Sequence, residues 1–225
     1  MDKYKERRDK YLSLHNAESL SLAEKRKLVE KLLVFDELIG LLIEWKKAIN
    51  GQTEEEILKD LSFIPLMKCL YIVCLLSVHK NKPKNSLFNV FDNYVPYENG
   101  PVDEDCYYHI NDLPHYAIDF GKGVIIKRDC DITASFVKQF GISEIDISNI
   151  INKIDSDGIK DMLIGAVNDL RQALYFPGFK DKYSLVNLTH RDLWEEANNE
   201  NKPLNTSNWD ALLKEARDIR VVIAA

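Results

Sequence analysis

Sixteen consecutive residues, FIPLMKCLYIVCLLSV at positions 63–78, contain a single charge, that of Lys68. A helix that is apolar on every side has to be covered on every side, by lipid or by protein. A bilayer span needs about 20 such residues. This run is shorter and carries a lysine, so it predicts a buried core helix rather than a membrane anchor. Pro65 fits its first turn, where a missing N–H leaves nothing unpaired.

The segments before it read as helices that can supply the cover. Ser21 and Glu24 form a capping box that opens a long helix, and Asn50–Gly51 closes it, since both tolerate the left-handed conformation of a helix end. Within that helix Asp36, Glu37, Gly40, Glu44 and Lys47 make one narrow polar stripe. Leu32, Val34, Phe35, Leu38, Ile39, Leu41, Leu42 and Trp45 occupy the rest. So wide an apolar face predicts packing on two sides. A charged short helix is expected at about 2–14, and Thr53 with Glu56 opens another towards Leu61.

After the apolar run, NKPKN breaks the helix, and the aromatic-rich SLFNVFDNYVPY suits extended structure. Gly100 permits a turn, Pro101 is expected at a first helical position, and Asp103, Glu104 and Asp105 complement the positive end of that helix. HYAIDF-GKG-VIIKRD reads as a β-hairpin around Gly121–Lys122–Gly123. Helical patterns resume at about 131–140, 146–155 and 158–175, the last ending before FPGF. Thr189 with Asp192, and Ser207 with Asp210, read as two further capping boxes. The predicted fold is mainly α: a multi-helix domain at 61–225 with one small β-hairpin, preceded by a long N-terminal helical arm at 1–60.

Charge narrows the function classes. The formal net charge is −6, which disfavours broad binding to nucleic-acid phosphates, a task for clustered Lys and Arg. The basic start MDKYKERRDK reads as a solvated helix face. Cys69 and Cys74 fall inside the apolar helix, and the four cysteines do not form a secreted disulfide framework. The first residues lack the apolar run of a signal peptide, so a cytosolic location is expected.

Catalytic motifs are missing: no nucleophile elbow, phosphate loop, zinc knuckle or dinucleotide fingerprint occurs. Cys106 and His109 lie three apart, with His115, Asp129 and Cys130 nearby, yet neither a Cys-x-x-C pair nor a paired-His motif is present. No metal and no cofactor is expected, and a small metal-dependent hydrolase around Cys106, His109 and His115 stands only as a distant alternative. DITASFVKQFGISEIDISNIINKI resembles a helix-turn-helix, and the hairpin ending in VIIKRD could be its wing. Glu144, Asp146 and Asp155 on its second helix would repel phosphates. A DNA-binding regulator built on 131–155 is therefore an alternative reading. Phe88, Phe91, Tyr94, Tyr97, Tyr107 and Tyr108 are the kind of set that more often forms core than interface, though tyrosine is enriched at protein interfaces.

Three stretches, LMKCLYIVCLLSV at 66–78, VPYENGPVDEDCY at 95–107 and YSLVNLTHRDLWEEA at 183–197, occur in the order and spacing typical of one family. In them the chain resembles the Panacea domain, the SocA-like antitoxins, over roughly residues 60–218. Glu98–Asn99 stands where the family has a shorter aromatic or basic lead into the glycine, and RDLW lacks the proline often found before the tryptophan, so the resemblance is to a divergent branch. It implies a non-enzymatic bacterial or prophage antitoxin that binds a toxin protein encoded nearby, or an adaptor that brings the toxin to a cytosolic protease. Homo-oligomers are compatible with it, whereas membrane and nucleic-acid partners are not expected. On this resemblance the partner-binding surface comprises Tyr97, Glu98, Asn99, Gly100, Pro101, Val102, Asp103, Glu104 and Asp105, with His190 as a further contact. Thr189 and Trp194 hold the motif in place.

Overall fold

The computed structural model describes residues 9–13, 18–80, 85–119, 121–172 and 182–224. Of the helix expected at 2–14, residues 9–13 fall within these and are helical. FPGF, and all of the NKPKN breaker except Asn85, lie outside the described residues.

The long helix α1 runs Leu22–Asn50, capped by Ser21 and Glu24 in reciprocal hydrogen bonds and ended by Gly51 at φ 61°. Short α2 (Glu54–Asp60) leads into α3 (Phe63–Leu76). A hairpin follows, β1 (Tyr94–Tyr97) and β2 (Gly100–Asp103), and runs straight into α4 (Glu104–His109). A second hairpin, β3 (Tyr116–Asp119) and β4 (Val124–Lys127), precedes α5 (Ile132–Phe140), α6 (Glu144–Ser156) and α7 (Ile159–Arg171). The chain closes with α8 (Lys182–Thr189), α9 (Asp192–Glu200) and α10 (Trp209–Ala224). The architecture is mainly α with two small antiparallel hairpins.

Helix α3 is the axis of the fold. Every residue from Pro65 to Leu76 is buried, Lys68 included. Helices α1, α7, α8 and α10 and strand β2 all pack against it. Helix α1 in turn touches α2, α4, α6 and α7, and Leu32, Phe35, Leu38, Ile39 and Leu42 are fully buried. Its wide apolar face is thus covered from several directions. One continuous hydrophobic cluster runs from Leu28 in α1 to Ile223 in α10.

The first hairpin departs from the sequence expectation. Pro101 does not start a helix; it lies in β2, directly opposite Pro96 in β1. Two facing prolines can occupy only a pair that exchanges no backbone hydrogen bonds, so the ladder loses nothing by either. Helix α4 begins three residues later, where the Asp103 carboxylate accepts from the Cys106 N–H at 3.1 Å as its N-cap.

Two expected capping boxes are also absent. Thr189 ends α8 rather than opening α9, and its hydroxyl donates back to the Val186 carbonyl at 3.0 Å. The start of α9 is satisfied across the core instead. Buried Glu215 of α10 accepts from the Leu193 N–H at 2.7 Å and from the Tyr71 hydroxyl at 2.9 Å. At the start of α10, Asn208 rather than Ser207 accepts, from the Ala211 N–H at 3.2 Å.

Candidate functional site

The three quoted stretches meet at Gly100. Its φ of +96° is open to glycine alone among common residues, and a β-carbon there would lie 2.8 Å from Thr189 Oγ1, 3.0 Å from His190 Cδ2 and 3.1 Å from Lys68 Nζ. Helix α3 contributes Lys68, the hairpin contributes Gly100, and the end of α8 contributes Thr189 and His190. The His190 ring stacks on Trp194 with centroids 3.9 Å apart and planes at 2°. Trp194 Nε1 donates to the Tyr97 carbonyl at 3.1 Å, tying α9 to β1.

Lys68 is the unusual member of this junction. It is 1% exposed, and among the described residues its one hydrogen bond goes to the Pro101 carbonyl at 2.9 Å, with no ion pair. Burial pushes its pKa down to about 7. Burial, and secondarily the Lys68 charge, lowers the His190 pKa as well. His190 Nε2 is buried without a hydrogen-bond partner among the described residues.

A second polar cluster ties α1 to the start of α4. The Lys31 ammonium, 1% exposed, pairs with Asp103 at 3.1 Å, with Asp92 at 3.2 Å and with Asp105. Burial opposes its charge, but the Asp103 and Asp105 carboxylates outweigh burial and hold the ammonium well above its ordinary range. Asp105 also accepts from the Tyr11 hydroxyl and from Asn93 Nδ2.

These contacts sort the residues of the expected partner surface. Gly100, Pro101, Val102 and Asp103 are buried, and Asp103 serves the α4 cap and Lys31. Tyr97, Glu104, Asp105 and His190 are half-buried, while Glu98 and Asn99 are exposed. Tyr97, Glu98, Asn99 and Glu104 come together as one wall of an open cleft of about 670 Å³. Its other walls are Lys10 and Tyr11, Tyr107 and Tyr108 of α4, and Asn201–Lys202–Pro203 beyond α9. The Tyr11 and Tyr108 rings stack at 4.4 Å, and the Tyr97 hydroxyl meets those of Tyr108 at 2.8 Å and Glu104 Oε1 at 3.1 Å. The part played by Tyr11 and by 201–203 had no local sequence signal; only the fold brings them beside β1.

The residues of the alternative readings are dispersed. Cys106 is buried near Asp103, His109 Nδ1 meets Asp112 at 2.7 Å, His115 Nδ1 meets Asp36 at 2.6 Å, and Cys130 is exposed. Among the described residues no group of three or more His, Cys, Asp or Glu is placed to hold a metal ion. Helix α6 packs on α1, with Lys153 paired to Glu30 and Asp146 to Arg26. Strand β4 docks on the 54–62 region, through Ile125 N–H on the Leu61 carbonyl and Lys127 on Glu54. Among the described residues no helix is long and apolar enough to cross a membrane. No family model, curated protein or solved structure matches the chain.

Proposed function

We propose that the chain is a cytosolic antitoxin-like protein of bacterial or prophage origin. It neutralises a toxin encoded nearby by direct protein–protein binding, or hands that toxin to a cytosolic protease, and carries out no catalysis itself. The observation that carries this reading is the tyrosine-walled cleft, in which Tyr97, Glu98, Asn99 and Glu104 line one open surface. Tyrosines offer large contact area with a polar tip, the composition of protein interfaces. Glu98 and Glu104 suit a basic partner, and such charges act chiefly on encounter rate and specificity. The convergence of the three Panacea-like stretches on Gly100 supports treating them as one motif, with the cleft beside it.

The test is co-expression with the neighbouring reading frame. On this reading the neighbour alone arrests growth, this chain rescues it, and the two co-elute. Glu98→Lys and Tyr97→Ala should weaken rescue while the protein remains folded. A harmless neighbour with nothing co-eluting sinks the proposal.

A further inference from the structure

A separate pocket of about 230 Å³ opens where α1, α5, α6 and α7 meet the segment before β3. Its floor is aliphatic, with Ile132, Ile151, Ile154 and Leu163 among the lining residues. Its polar lining is of another kind. Asp36, 5% exposed, takes the His115 backbone N–H at 3.1 Å and His115 Nδ1 at 2.6 Å on its two oxygens. That double grip fixes the orientation of the ring against α1. Glu37 and Asp155 also line the pocket, both exposed and, among the described residues, neither in an ion pair. Lys160 is the opposing charge.

Size and chemistry select the occupant. Pockets that enclose a whole small molecule run to about 300–1,000 Å³; this one is smaller and suits a single side chain. Aliphatic walls favour methylene groups, and two exposed carboxylates against one lysine favour a cation. A lysine side chain combines the two, an apolar stem with a charged head that carries three donors. Glu37 and Asp155 are two carboxylate acceptors on one lining.

We propose that this pocket receives the lysine side chain of a protein partner. Its stem rests on Ile132, Ile151, Ile154 and Leu163, and its ammonium is received by Glu37 and Asp155, beside the His115 ring. The site lies outside the tyrosine-walled cleft and its test does not involve that cleft, so the two readings stand or fall separately.

The experiment is an NMR titration of the full chain, labelled at Ile and Leu methyls and at His, with N-acetyl-lysine N-methylamide. Saturable shifts of the Ile151, Ile154 and Leu163 methyls and of the His115 ring are expected. The norleucine counterpart keeps the stem and lacks the ammonium, and should bind about fivefold more weakly. Glu37→Gln combined with Asp155→Asn should weaken the lysine probe by about the same factor and leave norleucine unchanged. Absence of saturable shifts at these residues, or equal binding of the two probes, overturns the proposal. Binding of pentylamine with the capped lysine silent assigns the pocket to a free amine and overturns it too.

Discussion

The Lys68 ammonium and the Pro101 carbonyl oxygen lie 2.9 Å apart in the core, and among the described residues this is the one hydrogen bond that compensates the buried amine. The same contact satisfies an acceptor on the edge of β2.

Lys68 makes stability depend on alkaline pH. Its folded pKa is about 7, against 10.5 for the free side chain. Between these values the unfolded chain binds the extra proton, so stability rises with pH across that window and the penalty is full below it. The full shift corresponds to about 5 kcal/mol, as an order of magnitude. Urea unfolding of wild type and Lys68→Met should show the variant's relative advantage shrinking as pH rises from about 7 to about 10. A difference independent of pH would refute a titrating Lys68.

Gly100→Ala meets both backbone strain and collision with Thr189, 2.8 Å away. A loss of about 3 kcal/mol is expected. Adding Thr189→Ala should recover about 1 kcal/mol of it. Chemical denaturation of the two single variants and the double variant measures the coupling, and a Gly100→Ala protein as stable as wild type would contradict the geometry.

Removing one side of the Lys31 cluster leaves a charge buried and uncompensated. Lys31→Met strands Asp103, which is fully buried, and should cost about 3–5 kcal/mol. Lys31→Met with Asp103→Asn should cost less than the two losses added together. Strict additivity in a double-mutant cycle would mean the pair does not interact as described.

The cysteines differ in reactivity. Cys130 is exposed, whereas Cys69, Cys74 and Cys106 are buried. Burial raises all three buried thiols, that of Cys69 to about 12. Titration with a thiol reagent at neutral pH should find one fast group in native protein and four after denaturation.

Legibility in the sequence followed the range of the interactions. The boxes at Ser21–Glu24 and Thr53–Glu56 are reciprocal hydrogen bonds over three residues, and both form. The apolar run at 63–78 announced its burial through composition alone. Thr189–Asp192 has the same local pattern as the boxes that form, yet a neighbouring helix claims Thr189 and a distant carboxylate, Glu215, supplies the cap. Pro101 misled for a related reason. Its fixed φ suits a helix start and an edge strand alike, and the choice fell to Pro96, five residues earlier. The candidate cleft was half legible: the 97–104 stretch stood out in the chain, while Tyr11 and Lys202 are tens of residues away from it in sequence.

The facing prolines of the first hairpin reach beyond the fold of a single copy. Pro96 and Pro101 turn their nitrogens, which carry no hydrogen, towards the two outer edges of the ribbon. The outward carbonyls of Tyr94 and Pro101 are already taken by the Leu204 N–H and by Lys68. A strand from another molecule therefore finds neither a row of donors nor a row of free acceptors on which to add. The exposed turn of an aromatic-rich ribbon, ordinarily a seed for intermolecular β-aggregation, is closed to it by its own backbone chemistry.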